Sequence, residues 1–386
     1  MNHDQGMKEI SGCKAQDTRT GFYDPMEKSD YFNKKVYRRH FSRKRTLHFM
    51  FFFTLSVIFV MATSYLVYNN QGLSLNSFEH SLDVDLYMIY ENEFKSLNNK
   101  PSIKPINPVK FNAVLQPINS CKLSNQSDAS PDLVIFVKSA LLHLELRNNI
   151  RQSWGNSNCF RYFGVRTRIL FILGRSGSTD WKHSSTQSMV LQEHMKYNDI
   201  VQFDFIEDYH NVTYKLIATL DFAINECSTS RFLTLIDDDF MLHPSNLLRT
   251  LAKVTETQYL NYIAGNVMRV SKPTRLLFSK WYISYSDYPY SLYPAFPSGG
   301  TIILSMPVAQ LLSVGLRYIK LLPFEDVVIG LVLYKLGISP VHLDGVYVVR
   351  YPKSHTGDLI SIHGYGDNSF SLSSWNKLGL QTVCDR

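Results

Sequence analysis

The stretch Phe232-Leu-Thr-Leu-Ile-Asp237-Asp238-Asp239-Phe240 joins an apolar run to three consecutive aspartates. The apolar run predicts a buried strand. Three adjacent carboxylates repel one another and lose solvation at a strand end, and a hard divalent ion such as Mg²⁺ or Mn²⁺ offsets that cost. Because ligands of open α/β sheets bind beyond the carboxyl ends of the strands, the stretch predicts a metal site there. An acidic loop tip in water is the alternative interpretation.

Segments on both sides of this stretch predict an α/β domain. The expected strands are Leu133–Lys138, Arg168–Leu173, Ile200–Phe205 and Phe232–Ile236, and helical periodicity occurs in Thr213–Glu226 and Pro244–Thr257. The alternation of strands and helices predicts a mostly parallel sheet with helices on both faces. We expect one globular domain over residues 121–386.

An apolar segment near the N-terminus predicts a membrane anchor. Leu47–Tyr68 contains no Asp, Glu, Lys or Arg and is long enough to span a bilayer as one helix. A basic cluster directly precedes it, so the positive-inside rule places the N-terminus in the cytosol and the rest of the chain in a lumen. Residues 1–46 are expected to be a disordered cytosolic tail, and residues 69–120 a lumenal stem with a short helix within Val84–Leu97.

The net charge of +7 is concentrated in the cytosolic tail. Residues 1–46 hold eleven Lys and Arg residues against six Asp and Glu residues. The remainder is therefore close to neutral, and the composition does not indicate a nucleic-acid-binding surface on the globular part.

Two features fit a lumenal location. N-glycosylation sequons start at Asn125 and Asn211. Four of the five cysteines follow the anchor: Cys121, Cys159, Cys227 and Cys384. Their even number permits two disulfides in any of three pairings, and free buried thiols are the competing interpretation.

A second acidic site lies at Glu325-Asp326, where apolar periodicity predicts the start of a helix. Acidic residues at a helix N-terminus are stabilised by the helix dipole, which explains most such pairs. The functional interpretation is a general base that takes a proton from a substrate hydroxyl.

Further candidate binding residues are basic, aromatic or small. Arg147 and Arg151 share a helical face near Trp154 and are suited to binding phosphate or stacking on a base, although a solvated basic face has the same spacing. The pair Gly299-Gly300 allows close approach of backbone to a ligand, or simply a turn. His363 ends an apolar run and is either a metal ligand or a structural histidine.

Taken together, the motifs resemble one family, the Golgi beta-1,3-galactosyltransferases and beta-1,3-N-acetylglucosaminyltransferases. The resemblance covers about residues 121–384 and rests on an ordered series of segments: LVIFVKSA (133–140), RNNIRQSWG (147–155), NDIVQFDFIEDYHNVTYK (198–215), FLTLIDDDF (232–240), YPAFPSGG (293–300) and EDVVIGLVLYKLGISPV (325–341). It implies a GT-A-type nucleotide-sugar-binding fold behind a single transmembrane signal anchor. Residues 121–386 would then form the catalytic domain of a single-pass type II protein of the Golgi membrane.

The resemblance also implies roles for individual residues. Asp326 matches the catalytic base, with Glu325 beside it. Asp237, Asp239 and His363 match metal ligands, with Asp239 the direct one. The residues that match nucleotide-binding or supporting positions are Arg147, Arg151, Trp154, Asp204, Asp208, Lys215, Asp237 and Asp238.

The implied activity is a metal-dependent inverting transfer of galactose from UDP-galactose to the 3-hydroxyl of an acceptor glycan, in beta linkage. The cofactor would be Mn²⁺ or another divalent cation, and the acceptor a glycoprotein or glycolipid. A beta-1,3-N-acetylglucosaminyl- or N-acetylgalactosaminyltransferase is the nearest alternative. An inactive lumenal chaperone or lectin on the same fold is an alternative of another class. The sequence does not decide the oligomeric state.

Overall fold

A computed structural model describes residues 26–69, 72–79, 83–95, 103–121, 130–161, 163–349, 357–364, 372–377 and Cys384. The chain divides into two compact units, Met1–Tyr68 and Asn69–Arg386. The sequon at Asn125 lies outside the described residues, whereas Asn211 lies within them.

The described part of the first unit is helical and belongs to helix α1 (Met26–Asn69), whose last residue is counted in the second unit. Within it, Lys44–Val67 is long and apolar enough to cross a membrane and has no buried residues in its most apolar window. The expected disorder of residues 1–46 is wrong for residues 26–46, which are helical. The physical reason is that the segment from Met26 to Asn69 contains no glycine or proline to end the helix.

The second unit contains eleven strands and ten α-helices among its described residues. The strands are β1 (Ala113–Leu115), β2 (Leu133–Lys138), β3 (Thr167–Arg175), β4 (Ile200–Ile206), β5 (Phe232–Asp237), β6 (Phe240–Leu242), β7 (Ile263–Met268), β8 (Phe296–Ser305), β9 (Val341–His342), β10 (Val346–Tyr347) and β11 (Ser361–His363). The helices are α2 (Leu86–Phe94), α3 (Leu144–Arg151), α4 (Asn158–Arg161), α5 (Ser185–Tyr197), α6 (Val212–Glu226), α7 (Pro244–Ala252), α8 (Glu256–Tyr259), α9 (Met306–Leu316), α10 (Glu325–Leu336) and α11 (Leu372–Lys377).

The main sheet has eight strands in the order β1-β4-β3-β2-β5-β8-β7-β9. Its centre, β4-β3-β2-β5, is parallel, and β8 runs antiparallel to both β5 and β7. All four predicted strands are confirmed and form this parallel centre. Their side chains are buried almost throughout because helices cover both faces of the sheet, as predicted. A small sheet, β10-β11-β6, brings His363 in β11 opposite Phe240 in β6.

Two hydrophobic clusters fill the spaces on either side of the main sheet. One joins α6, α9 and α10 through residues such as Leu216, Leu312 and Leu333. The other joins α3, α5 and α7 with the small sheet. The single helix predicted over Pro244–Thr257 is wrong in its last part, because Thr255 caps a separate short helix and accepts a hydrogen bond from Gln258 N at 3.3 Å.

Three segments of the predicted stem pack against the rest of the second unit, to which they belong. Leu73 bridges to Tyr290, the predicted short helix is confirmed as α2 and packs on α9, and β1 pairs with β4. Leu86 and Ile89 of α2 are part of the hydrophobic core. The boundary at residue 120 between stem and catalytic domain stays a prediction.

Two disulfides join distant parts of the second unit, Cys121–Cys227 and Cys159–Cys384. This is one of the three pairings that the sequence left open, and it excludes free thiols at these four positions. The first bond ties the segment before β2 to the end of α6, and the second ties α4 to the C-terminal segment.

Candidate active site

A cavity of about 900 Å³ lies beyond the carboxyl ends of the parallel strands. It is lined by residues that follow β2, β4 and β5, by the Gly299-Gly300 segment of β8, and by the first turn of α10. The open-sheet rule places ligand sites at this edge, and the three aspartates come to it because β5 ends there.

Lys138 and Asp237 meet at this edge through the strand register. The last residue of β2, Lys138, is aligned with Asp237 in the neighbouring parallel strand β5. Its buried Nζ lies 2.9 Å from Asp237 Oδ1, contacts Glu325 Oε1 and donates to Gly299 O at 2.8 Å. One ammonium group therefore connects the triple aspartate, the glycine pair and the start of α10.

The charge state of Lys138 follows from these contacts. Burial disfavours the ammonium, but the Asp237 and Glu325 carboxylates outweigh burial and raise the pKa of Lys138. The sequence interpretation gave Lys138 no role. The available signal was a lysine at the end of an otherwise apolar strand, where a charge is rarely buried without a partner.

Asp238 points to a different partner. Its buried carboxylate contacts His143 Nδ1 at 2.8 Å, and this hydrogen bond raises the pKa of His143. His143 precedes α3 and lines the cavity. It was also missed from the sequence, because 95 positions separate it from Asp238.

Asp239 and His363 form the pair that fits a divalent ion. His363 Nε2 lies 3.2 Å from Asp239 Oδ2, and the Phe240 and His363 rings are 5.0 Å apart between centroids. Asp239 Oδ1 is buried without a hydrogen-bond partner among the described residues. An unsatisfied carboxylate oxygen beside an imidazole is a donor set suited to such an ion. Within the described part of the chain, no group of three or more His, Cys, Asp and Glu residues is arranged to hold a metal alone.

Asp326 occupies the first turn of α10 and faces the same cavity. Its Oδ2 accepts a hydrogen bond from Gly299 N at 3.3 Å, and its Oδ1 accepts one from Val327 N at 2.8 Å. Burial, and then the charge of Glu325, raise the pKa of Asp326 to about 6, although both backbone hydrogen bonds oppose the shift.

Close packing requires a glycine at position 300 and leaves little room for a side chain at position 299. A Cβ on Gly300 would lie 2.0 Å from Phe240 Cζ, and a Cβ on Gly299 would lie 3.1 Å from Glu325 Oε1. A side chain at either position would press on residues that hold the aspartates and the start of α10. The structure therefore explains these glycines by packing around the cavity.

Arg147, Arg151 and Trp154 do not line the cavity. Arg147 is 1% exposed and pairs with Glu193, with Nε to Oε1 at 2.9 Å and Nη2 to Oε2 at 2.6 Å. Its Nη1 also donates to Ala140 O at 2.6 Å, which fixes the loop after β2. The predicted contact of Arg147, Arg151 and Trp154 with the nucleotide stays a prediction. The observed contacts of Arg147 support the wall of the cavity.

Arg151 and Trp154 complete this supporting group. Arg151 pairs with Glu193 at 2.8 Å and Asp199 at 2.7 Å, and its guanidinium lies over the rings of Phe171 and Tyr197. Trp154 is fully buried in the hydrophobic cluster on this face. Neither arginine lies on a solvated basic face, which was the alternative interpretation of their spacing, because both side chains are largely buried.

The remaining predicted residues divide between cavity and scaffold. Lys215 lines the cavity, donates to Ser139 O at 2.6 Å and pairs with Glu207 at 2.7 Å. Asp208 also lines it. Asp204 does not, and instead accepts from Asn112 N at 3.0 Å, which attaches the segment of β1 to β4.

Comparison with known proteins identifies the family to which the chain belongs. The galactosyltransferase family model matches residues 145–344. Beta-1,3-galactosyltransferase 1 of Mus musculus is 34% identical over 262 residues, which cover 67% of this chain and 76% of that protein. The chain belongs to the galactosyltransferase family.

Two further relatives of this galactosyltransferase-family chain carry N-acetylglucosaminyltransferase names. Lactosylceramide 1,3-N-acetyl-beta-D-glucosaminyltransferase of Xenopus tropicalis is 27% identical over 85% of this chain and 86% of that protein. N-acetyllactosaminide beta-1,3-N-acetylglucosaminyltransferase 4 of Mus musculus is 30% identical over 55% of this chain and 59% of that protein. The predicted resemblance and the predicted class, a UDP-sugar-dependent beta-1,3-hexosyltransferase, are thereby confirmed. The eight-stranded sheet with its parallel centre confirms the predicted α/β architecture.

Proposed function

We propose that this family member transfers galactose from UDP-galactose to the 3-hydroxyl of an acceptor glycan, with inversion to a beta linkage. The carrying observation is that one cavity is lined both by Asp326, a buried carboxyl group with a raised pKa, and by the Asp239–His363 pair. The two sets supply different functions, proton removal at Asp326 and binding of a metal–diphosphate group at Asp239.

The proton step belongs to Asp326. With a pKa of about 6, this carboxyl group is mostly ionised at neutral pH and still basic enough to accept a proton in the transition state. The backbone N–H groups of Gly299 and Val327 orient it. The attacking acceptor oxygen forms one bond to the anomeric carbon as the bond to UDP breaks, and Asp326 receives the hydroxyl proton.

Donor binding belongs to the aspartates and their partners. Asp239 and His363 would hold Mn²⁺ or another divalent cation, which when bound stabilises negative charge on the departing diphosphate. Lys138 contacts the carboxylates of both Asp237 and Glu325 and offsets part of their negative charge at the cavity. Lys215 and the loop after β2, fixed by Arg147, shape the wall beside them.

N-acetylglucosamine is the second candidate for the transferred sugar, because two relatives carry that sugar in their names. N-acetylgalactosamine is a third donor class from the same resemblance. An inactive chaperone or lectin is disfavoured because Asp237, Asp239 and Asp326 are all present at the cavity. For location, we propose a single-pass type II Golgi protein with the second unit in the lumen, supported by the candidate span Lys44–Val67.

The test is a donor screen with the purified full chain in detergent. UDP-galactose, UDP-N-acetylglucosamine and UDP-N-acetylgalactosamine are each supplied with Mn²⁺ and a panel of galactose- and N-acetylglucosamine-terminated acceptors. We expect a beta-1,3-linked product from UDP-galactose. Turnover with only another donor would replace galactose in the proposal, and absence of turnover with every donor would favour the inactive class.

A further inference from the structure

An exposed apolar loop lies beside the cavity. It follows β7 and contains Leu276, Leu277, Phe278 and Trp281, and Phe278 is 97% exposed. Leu277 is 69% exposed and Trp281 54% exposed. A contiguous group of large apolar side chains exposed to water indicates an interaction surface, whereas exposed apolar residues that are scattered singly are normal on a protein surface. We call residues 276–281 the apolar loop.

The base of the apolar loop is held firmly. Arg275 is buried and donates to the carbonyl oxygens of Ile283 and Ser284, both at 2.8 Å. It also donates to Tyr288 O at 2.6 Å, and Ile283 N donates to Thr274 O at 2.9 Å. These hydrogen bonds order the backbone at the base of the loop that carries the apolar side chains.

Every charged residue in the sequence from position 267 to position 286 is basic. Residues 267–286 contain Arg269, Lys272, Arg275 and Lys280 and no Asp or Glu. The Lys280 Nζ lies 4.6 Å from the centroid of the Trp281 ring. Leucine and phenylalanine at the tip, with tryptophan and lysine behind them, form the composition of a surface that enters the headgroup region of a bilayer.

A short length of chain connects the candidate span to the segment at the base of the apolar loop. Leu73 N donates to Pro289 O and Leu73 O accepts from Ser291 N, both at 2.9 Å, in the segment that closes the base of the apolar loop. Six positions separate Leu73 from Val67, the last residue of the candidate span. A fully extended chain covers at most about 22 Å over six residues. Leu73, which is bonded to residues 289–291, therefore follows the candidate span after a short connection.

We propose that the apolar loop is a membrane-contact surface, which enters the headgroup region of the bilayer that holds the anchor. Lys280 and Trp281 also line the catalytic cavity, so the surface and the cavity share a wall. A cavity held next to lipid headgroups favours glycolipid acceptors, because their sugars are attached to lipids in the bilayer. This second step rests on the proposed transferase function, whereas the membrane contact does not.

Membrane contact is tested with single fluorescent labels on the full chain. Cys13 is replaced by serine, because the other four cysteines form disulfides. An NBD fluorophore is then attached at Phe278→Cys, or at Met195→Cys as a control on the exposed face of α5. The proteins are reconstituted into phosphatidylcholine–phosphatidylserine vesicles with and without doxyl-labelled lipid.

We expect doxyl lipid to quench the label at position 278 and to leave the label at position 195 unchanged. Equal quenching at both positions, or none at either, would overturn the membrane contact. Energy transfer between labelled chains without lipid quenching would also overturn it, because it would identify the surface as a contact between copies.

The acceptor class is tested with Leu277→Ser/Phe278→Ser and the matched variant Leu191→Ser/Met195→Ser. Neither pair lines the cavity. We expect the first variant to lose about tenfold in kcat/KM toward a glycolipid in vesicles, because two side chains no longer enter lipid, and to keep its rate on the corresponding soluble oligosaccharide. An equal loss on both acceptors would overturn the lipid preference. Wild-type protein without any transfer would reject the proposed function and leave the labelling result intact.

Discussion

Lys138 Nζ lies 2.9 Å from Asp237 Oδ1 because the last residue of β2 is in register with the last residue of β5. The same ammonium contacts Glu325 at the start of α10. One buried cation therefore keeps two carboxylates, which are 88 positions apart in the sequence, at the same edge of the cavity.

Replacing Lys138 is expected to destabilise the protein. Lys138→Met leaves two carboxylates without their cation, and loss of one partner from a buried ion pair costs about 3–5 kcal/mol. Urea unfolding followed by tryptophan fluorescence measures the free energy of unfolding. The control is Lys253→Met at an exposed position, where the change should be small. If both substitutions lowered the free energy of unfolding equally, Lys138 would not have the proposed stabilising role.

Replacing Asp326 is expected to remove transfer while leaving UDP binding unchanged. Asp326→Asn keeps the shape of the side chain but cannot accept the acceptor proton, and loss of a general base costs roughly 10²–10⁴ in kcat. Steady-state kinetics and calorimetric titration with UDP give the two readouts. Glu226→Gln makes the same chemical change at an exposed site and should leave both unchanged. Normal turnover by Asp326→Asn would assign the base elsewhere.

The rate should rise with pH through about 6, the pKa of Asp326. Burial raises this pKa, so the carboxyl group is protonated and inactive below that value and ionised above it. A plot of kcat/KM against pH from 5 to 8 checks the sign. His143 also has a raised pKa and lines the cavity, so the profile is repeated with His143→Gln. If the rise disappeared in that variant, the titrating group would be His143.

The parallel centre of the sheet was predictable because each buried strand is a local run of apolar residues. The partners of the site residues were not, because each lies far along the chain. Spacing of four places Arg147 and Arg151 on one helical face but does not say what the face contacts. That face forms a buried ion pair because Arg147 contacts Glu193, which lies 46 positions later in the chain. Lys138 was overlooked for the same reason, since its partner Glu325 is 187 positions away.

Arg147 is expected to act on the stability of the protein and on the shape of the cavity. Arg147→Met leaves Glu193 with one of its two arginine partners and frees the carbonyl of Ala140. We expect a loss of about 3 kcal/mol in the free energy of unfolding, and the double variant Arg147→Met/Glu193→Met should recover part of it, because no buried charge then lacks its partner. A loss of UDP affinity without any loss of stability would instead support direct contact with the nucleotide.

The Asp239–His363 pair is expected to determine metal affinity. Asp239→Ala removes the carboxylate whose Oδ1 has no partner among the described residues, and His363→Ala removes the imidazole 3.2 Å from Oδ2. Each should weaken Mn²⁺ binding, measured by electron paramagnetic resonance in the presence of UDP, by about tenfold or more. His183→Ala removes the exposed histidine of the pair with Asp180, which lies outside the cavity, and should have no effect. Mn²⁺ affinity that is unchanged in both Asp239→Ala and His363→Ala would move the metal site away from the end of β5.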